Sequence, residues 1–140
     1  MKDKPFYLET PFEVKSYDID VVGHVNNIVY IRWLEDIRMN FLNKFLPYNR
    51  LMGKGISPVL TKTEIEYKLP IKMFDEVCVK SYISDVKGPR LILEFEFYVS
   101  DKLMAVARQT GIFFDVNKQR PVRPPDEFME QWNLLIQEQA

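Results

Sequence analysis

One segment of the chain carries apolar side chains at helical spacing. Between residues 26 and 46 they recur every three or four positions, which is typical of a helix with a buried face. The members of this stripe are Tyr30, Leu34, Ile37, Phe41 and Phe45. A second face carries Arg32, Asp36, Asn40 and Asn43, and the remaining faces add the apolar residues Ile28, Val29, Ile31, Trp33 and Leu42. We therefore predict a long helix that is buried over much of its girth.

Asparagine and proline mark the ends of this helix. Asn26 or Asn27 is expected to cap its start, because an asparagine side-chain oxygen accepts a hydrogen bond from a backbone N–H that lacks a helical partner. Pro47 is expected to end it, because proline disfavours helical backbone in the residue before it. The next stretch, residues 48–55, contains Gly53 and Gly55 and is predicted to be a connecting loop.

The other long segments alternate apolar and polar positions with the two-residue period of a β-strand. We predict strands at residues 12–17, 59–69, 77–83, 91–99 and 103–114. Pro11 favours an edge position or a strand start for the first of them. A short C-terminal helix is expected after Pro125, with Asp126 as its N-cap. This order indicates an α+β domain in which an antiparallel sheet of about five strands wraps around one buried helix.

Composition restricts the classes of function. The chain has 140 residues, of which 46% are hydrophobic, so we predict one domain over residues 1–140 with a packed core. The formal net charge of −1 provides no basic excess for phosphates, and no nucleic-acid partner is expected. No apolar run approaches the roughly 18 residues that span a bilayer, and the N-terminus lacks a signal-peptide core. We therefore expect a cytoplasmic protein that does not enter a membrane.

Cysteine and histidine usage argues against a metal site. Cys78 and His24 are the single members of their residue types, so neither an internal disulfide nor a structural zinc site is expected. Cys78 falls inside a predicted strand and is interpreted as a small buried hydrophobe. No serine lies in a nucleophile-elbow glycine pattern, and no glycine-rich phosphate loop is present. We predict no cofactor.

The segment just before the long helix concentrates the groups that carry chemistry. Asp18, Asp20 and Gly23 stand a few residues ahead of the predicted helix start. A carboxylate there lies near backbone N–H groups that can polarise a carbonyl oxygen, and Gly23 would let the backbone approach closely. Asp20 is the candidate to attack a thioester carbonyl or to activate a water molecule. The alternative, favoured by composition alone, is that both aspartates only cap a turn.

The neighbouring polar residues also have two interpretations each. His24 is either an acid or base, or a scaffold whose imidazole ties the loop to the helix by hydrogen bonding, which is the commoner role for a single histidine. Asn26 and Asn27 are interpreted mainly as caps and loop ties. Tyr30 is expected to pack in the core with its hydroxyl near a polar neighbour.

Residues 17–38 resemble the 4-hydroxybenzoyl-CoA thioesterase-like family of hotdog-fold acyl-CoA thioesterases. The matching motif is Asp18-x-Asp20, then Gly23-His24-Val25-Asn26-Asn27, then Tyr30, then Trp33-Leu34-Glu35 on the helix. Residues 65–70 and 75–77 also look like the strand-turn-strand of this family. The resemblance covers nearly the whole domain and weakens after Leu103.

The resemblance implies a single hotdog domain that hydrolyses an acyl-CoA thioester without a cofactor. In that family pattern the catalytic carboxylate is Asp20, acting as nucleophile or general base, and backbone N–H groups from Gly23 to Asn27 polarise the carbonyl. The catalytic group is then Asp20, Gly23 and His24, and the substrate-binding group is Asn26, Asn27, Tyr30, Thr61 and Arg90. The family also implies a dimer whose sheets join edge to edge, with sites at the interface, and pairing of dimers into tetramers.

Two of these substrate-binding assignments have simpler alternatives. Arg90, with Lys87, is expected at a turn near the phosphates of CoA, although a solvated turn explains both residues. Thr61, with Thr63, is assigned to the partner side of the site, although ordinary strand packing explains them equally well.

Other functions remain as alternatives. The motif is also similar to acyl-acyl carrier protein thioesterases, but Val22 stands where that group has a functional asparagine, so an acyl carrier protein is the second candidate carrier. In a hotdog hydratase, a histidine and an acid act as a pair, and here His24 follows Asp20 too closely for that pattern. A non-catalytic acyl-thioester-binding module would not need to keep Asp20.

Overall fold

An antiparallel sheet with one long helix packed on it forms the body of the protein, in a computed structural model that describes residues 3–138. The described residues form six strands and three helices: β1 (Leu8–Glu13), α1 (Asn27–Phe45), α2 (Tyr48–Gly53), β2 (Ile56–Tyr67), β3 (Glu76–Lys87), β4 (Arg90–Val99), β5 (Lys102–Asp115), β6 (Arg120–Val122) and α3 (Asp126–Glu138). The predicted α+β architecture is confirmed.

The sheet order places β3, β4 and β5 in the centre. The strands run β1-β3-β4-β5-β2, and β6 pairs with the end of β5. Buried and less buried side chains alternate along the central strands, as expected when one face is covered. Pro11 pairs with Cys78 at the β1 edge, where its missing N–H removes no interior ladder bond. Its predicted edge position is confirmed.

Helix α1 packs against the sheet through its apolar stripe. Leu34 and Ile37 are 0% and 1% exposed, and the Tyr30 ring lies 5.2 Å from the Phe97 ring of β4. The apolar stripe predicted for this helix therefore faces the sheet. The predicted burial beyond this stripe is confirmed for Val29, Trp33 and Leu42, whereas Ile28 and Ile31 are 60% and 45% exposed.

Several predicted boundaries need correction. The first strand runs over Leu8–Glu13 and not over residues 12–17. It ends before Tyr17 because Ser16–Asp18 form a 3₁₀ turn in which the Asp18 carboxylate accepts a hydrogen bond from the Lys15 N–H. The predicted loop after Pro47 contains helix α2, whose Leu51 is 1% exposed and anchors it to the core.

The C-terminal region differs from the prediction in two further details. Strand β6 was not predicted, because its three residues Arg120–Val122 are too short to show alternation. Helix α3 begins at Asp126, so Asp126 belongs to the first turn and is not the N-cap. An acidic side chain there still interacts favourably with the partial positive charge of the helix N-terminus.

Replacing Leu34 by alanine tests how far the fold depends on the buried face of α1. We expect the free energy of unfolding to fall by about 2–5 kcal/mol, because the change leaves a cavity between helix and sheet. The matched control is Ile31→Ala on the same helix, where the side chain is 45% exposed, and a change of about 0.5 kcal/mol or less is expected. Urea denaturation measures both, and equal losses would contradict the assigned helix face.

Candidate active site

The loop between β1 and α1 is held by backbone hydrogen bonds at both ends. The Asn26 N–H donates to the Asp18 carbonyl at 2.8 Å, which draws the two ends of the loop together. At its tip, the Gly23 N–H donates to the Asp20 carbonyl at 3.1 Å, in a turn where Gly23 has φ +84°. The Val25 N–H donates to the Ile71 carbonyl at 2.8 Å and fixes the loop to the β2–β3 connection.

Gly23 is needed for its backbone conformation. Its positive φ is readily accessible only to glycine, whereas a Cβ built at this position would meet no described atom within 4 Å. The predicted close approach of the backbone to a substrate carbonyl at Gly23 stays a prediction. What the glycine provides is the turn that follows Asp20.

The carboxylate of Asp20 has one bound oxygen and one oxygen without a described partner. Its Oδ1 accepts hydrogen bonds from the Val22 N–H at 3.0 Å and from the His24 N–H at 3.1 Å. Its Oδ2 makes no hydrogen bond to any residue within 3–138 that the structure records, and the side chain is half-buried. The turn interpretation is thus correct for Oδ1, while Oδ2 is left available for chemistry.

Most of the backbone N–H groups that were predicted to bind the substrate carbonyl oxygen already have hydrogen-bond acceptors within the protein. The Asn26 side chain accepts a hydrogen bond from the Ile28 N–H at 3.0 Å, so Asn26 is the N-cap. The N–H groups of Gly23 and His24 are already bound to Asp20, as described above. Among the predicted donors, the Asn27 N–H is left without a recorded acceptor in the described part of the chain.

Four of the predicted site residues line one cavity of about 270 Å³, whose opposite wall was not predicted. Asp20, His24, Asn27 and Tyr30 line it from the loop and the first turn of α1. The opposite wall is formed by residues 67–70, which comprise the last residue of β2 and the three residues after it. We call this space the loop cavity. Sequence reasoning could not find its second wall, because those residues lie about 40 positions away from the motif.

Two tyrosine rings meet at this cavity. The rings of Tyr30 and Tyr67 lie 4.9 Å apart and nearly perpendicular. Burial raises the pKa of Tyr30 to about 12, and a hydrogen bond with the Ile71 backbone opposes that shift only in part. Burial also raises the pKa of Tyr67. Both phenols are therefore neutral at physiological pH and retain a proton to donate.

His24 is held by its backbone. Its carbonyl accepts a hydrogen bond from the Asp20 N–H at 2.8 Å, and it forms a bridge with Lys72. The imidazole makes no hydrogen bond that is recorded for residues 3–138, so the predicted tie through the imidazole is not observed. His24 lines the loop cavity together with Asp20.

Thr61 and Arg90 lie away from the loop cavity of their own chain. Thr61 sits at a bulge in β2, where its hydroxyl donates to the Thr110 carbonyl at 3.2 Å. Arg90 opens β4 and pairs with Lys87 across the β3–β4 turn. Their assignment to substrate binding stays a prediction, because neither residue lines the loop cavity within a single chain.

A polar network under the sheet was missed. The guanidinium of Arg38 donates to Gln109 Oε1 at 2.8 Å, and Gln109 Nε2 donates to the Thr63 hydroxyl at 3.1 Å. Gln109 is 1% exposed, and burial lowers the pKa of Arg38. The sequence places the polar residue Gln109 at an inward position of β5, but it does not show which side chains form hydrogen bonds with it.

Two other features are absent from the part of the chain that the structure describes. No helix within residues 3–138 combines the length and the apolar character needed to span a lipid bilayer. Across the same residues, histidine, cysteine, aspartate and glutamate do not gather in a group of three or more that could hold a metal ion.

Sequence and structural similarity connect this chain to known proteins. The model of the thioesterase-like superfamily matches residues 14–132. The long-chain acyl-CoA thioesterase FadM of Escherichia coli (strain K12) is 24% identical over 131 residues, covering 92% of this chain and 99% of that protein. The chloroplastic acyl-acyl carrier protein thioesterase ATL3 of Arabidopsis thaliana is 26% identical over 136 residues, covering 94% of this chain and 71% of that protein.

A solved structure shows the same fold. The Staphylococcus aureus protein SAV2348, solved in complex with CoA, matches with a TM-score of 0.87 at 18% identity, over 96% of this chain and 86% of that chain. The fold thus defines a hotdog-type protein, as predicted. The family match spans most of the chain, so the chain belongs to the thioesterase-like superfamily. It is a thioesterase, which confirms the class predicted from the loop motif.

The N-cap assignment can be tested by comparing two adjacent asparagines. We expect Asn26→Ala to lower the free energy of unfolding by about 0.5–2 kcal/mol, because the Ile28 N–H loses its acceptor. Asn27→Ala is the control, with an expected change within about 0.5 kcal/mol, because that side chain is exposed and makes no recorded hydrogen bond. Thermal and urea unfolding measure both, and a larger loss for Asn27 would refute the cap assignment.

Proposed function

We propose that this protein hydrolyses acyl-CoA thioesters to a free acid and CoA, with Asp20 as the central carboxylate. The observation that carries the proposal is the arrangement of Asp20 in the loop cavity. One of its oxygens is fixed by two backbone N–H groups, and the other has no recorded partner. The relative FadM, described as a long-chain acyl-CoA thioesterase, supports CoA as the carrier.

The hydrogen bonds to Oδ1 orient the carboxylate before substrate arrives. Oδ2 is then free to act in one of two ways: it attacks the carbonyl carbon of the thioester, or it takes a proton from the water that attacks. In the first route the bond between the carbonyl carbon and sulfur breaks as Asp20 becomes acylated, and water then hydrolyses this mixed anhydride to the free acid. In the second route the oxygen of water bonds to the carbonyl carbon as the same bond to sulfur breaks, which gives the acid directly. In both routes CoA leaves as a thiol after gaining a proton.

The first turn of α1 is proposed to stabilise the carbonyl oxygen as negative charge develops on it. The Asn27 N–H lacks a recorded acceptor, and the helix N-terminus adds a partial positive charge. Tyr30 and Tyr67 close the cavity with neutral phenols, and His24 borders it with an imidazole that has no recorded hydrogen bond. We assign Asn27, Tyr30 and His24 to substrate positioning around the reacting carbonyl.

Replacing Asp20 by asparagine tests the central role. Asparagine keeps a side-chain oxygen for the two backbone donors, so the loop should fold, but it neither attacks a thioester nor accepts a proton. We expect kcat/KM to fall by at least about 100-fold, measured as thiol release from a panel of short, medium, long and aromatic acyl-CoAs. The matched control, Asp36→Asn on the exposed face of α1, should retain wild-type activity. Full activity in folded Asp20→Asn protein would refute the mechanism.

An acyl carrier protein is the alternative carrier. Its support is the similarity to ATL3, described as an acyl-acyl carrier protein thioesterase. Val22 is 67% exposed in this chain, and its side chain has no polar group to offer beside Asp20. Thiol release from the same acyl group on CoA and on an acyl carrier protein decides between the carriers, and a higher kcat/KM for the protein carrier would favour the alternative.

We further propose that two copies pair through β2. This strand lies at the end of the sheet, and most of its side chains are exposed on both faces, so its outer edge offers unpaired backbone groups. Two β2 strands that pair antiparallel about a twofold axis would place the start of one beside the end of the other. That arrangement places Thr61, in the middle of β2, near the twofold axis, and it brings the end of the sheet that carries Arg90 closer to the loop cavity of the partner.

Solution mass tests this assembly. Sedimentation equilibrium at micromolar protein should give twice the mass of one chain, or four times that mass if dimers pair into tetramers. A monomer at these concentrations would contradict pairing through β2. The Asp20→Asn variant should have the same assembly state as wild type, because Asp20 lies outside β2.

A further inference from the structure

We infer that a second cavity, distinct from the loop cavity, binds the acyl chain and that Gly111 sets the length of chain it accepts. This inference rests on the proposed thioesterase function and names its substrate class, an unbranched apolar acyl group of medium to long chain. The cavity has a volume of about 540 Å³ and lies between the C-terminal half of α1 and strands β2, β4 and β5. We call it the chain cavity.

The wall of the chain cavity suits a hydrocarbon. Most of its lining is apolar, and its floor includes Leu42, Leu60, Leu91, Leu93 and Phe113. The polar side chains that border it are already satisfied or exposed: Arg38 binds Gln109, while Glu35 and Tyr48 are exposed to solvent. A hydroxyl group on a substrate would therefore lose its water without gaining a buried partner, whereas methylene groups lose nothing. An unbranched alkyl chain is the ligand that this wall favours.

Gly111 leaves space at the floor of the cavity. It lies in β5 opposite Leu60 of β2, and the structure shows an ordinary strand conformation there. A Cβ at this position would lie 3.5 Å from the Val59 carbonyl oxygen, 3.9 Å from Leu91 Cδ1 and 4.0 Å from Leu60 Cδ2. These are ordinary contact distances, so alanine fits without strain. A larger side chain would extend into the space that the terminal carbons of a substrate need.

The chain cavity is remote from the Asp20 of its own chain. Along α1, the step from Asn27 in the loop cavity to Arg38 in the chain cavity is about 17 Å at the standard rise per residue. Along β2, the step from Val59 to Tyr67 is about 26 Å. Leu34 is 0% exposed and fills the core between the two ends. A direct path for an alkyl chain within one protomer therefore crosses packed side chains.

Pairing of two β2 strands resolves this separation. Val59 and Leu60 border the chain cavity near the start of β2, and Tyr67 borders the loop cavity at its end. When the strands run antiparallel, the start of one lies beside the end of the other. The chain cavity of one protomer then adjoins the loop cavity of its partner. Each complete site therefore takes Asp20 from one chain and Gly111 from the other.

The first experiment measures chain-length selectivity. Thiol release is followed for butyryl-, octanoyl- and palmitoyl-CoA with wild type, Gly111→Ala, Gly111→Val and the control Thr110→Val. Thr110 is adjacent in β5, and its side chain lies on the opposite face of the sheet. Circular dichroism and thermal unfolding verify folding, and Gly111→Ala carries the test if the valine variant does not fold.

We expect wild type to prefer octanoyl- or palmitoyl-CoA to butyryl-CoA. Gly111→Val should lower the ratio of kcat/KM for palmitoyl-CoA to that for butyryl-CoA by about 10- to 100-fold, since filling a pocket by a few carbon atoms discriminates by that factor. Gly111→Ala should give a smaller change in the same direction, and Thr110→Val should leave the ratio unchanged. A wild-type preference for butyryl-CoA, or equal ratios in all variants, would overturn the inference.

Mixed dimers test which chain supplies the cavity. Asp20→Asn and Gly111→Val chains are co-expressed with different affinity tags, and dimers carrying both tags are purified. If the site is shared, the surviving Asp20 faces the open cavity of its partner, and the palmitoyl-to-butyryl ratio equals that of wild type. A ratio equal to that of Gly111→Val homodimers, or failure to recover doubly tagged dimers, would overturn the shared site.

The two proposals fail in different ways. If Asp20→Asn retains full activity, or if wild type releases no thiol from any acyl-CoA, the proposed function fails. If Asp20→Asn is inactive but the Gly111 variants have the same palmitoyl-to-butyryl ratio of kcat/KM as wild type, only the chain-cavity inference fails.

Discussion

The geometry of the site depends on how the loop after β1 is tied to the connection between β2 and β3. The Val25 N–H donates to the Ile71 carbonyl at 2.8 Å, and Ile71 is 0% exposed, so this bond forms in the core beneath the loop cavity. Without it, the loop that carries Asp20 and the residues that follow β2 would not face each other. The bond also sets where α1 begins, because the Asn26 cap follows Val25 directly. This hydrogen bond, with the adjacent bridge between His24 and Lys72, thus connects the motif, the helix and the far wall of the cavity.

The same loop shows how structural and chemical demands divide between atoms of one residue. Two backbone donors converge on Oδ1 of Asp20, which is how an aspartate stabilises a turn. The two interpretations of Asp20, as a turn former and as a catalyst, are therefore compatible with each other. A fixed Oδ1 limits the rotation of the carboxylate, and this restriction is the preorganisation that an attacking or proton-accepting oxygen requires.

The parts predictable from sequence were those determined by local pattern. Helix α1 and the central strands follow from their hydrophobic periods, and the cap at Asn26 follows from the chemistry of one side chain. The hotdog class followed from the resemblance of residues 17–38. What could not be predicted depends on distant partners: residues 67–70 become a cavity wall only through the Ile71 contact, and Gln109 is satisfied by Arg38 from another layer. Leu51 shows the intermediate case, in which a predicted loop became helical because one apolar side chain reached the core.

The edge strand β2 contributes residues to both cavities, one near each of its ends. Its backbone pairs with β5 on one side, and its other edge has no strand beside it among the described residues. Each end of this edge opens onto a cavity with one half of the required chemistry: the carboxylate and helix N-terminus at one end, and the apolar wall at the other. In the proposed dimer, a twofold axis across β2 would join unlike ends, whereas a single chain keeps them apart by most of the length of the strand. Symmetry can therefore supply a complete acyl-thioester site from a fold too small to contain both halves adjacent within one copy.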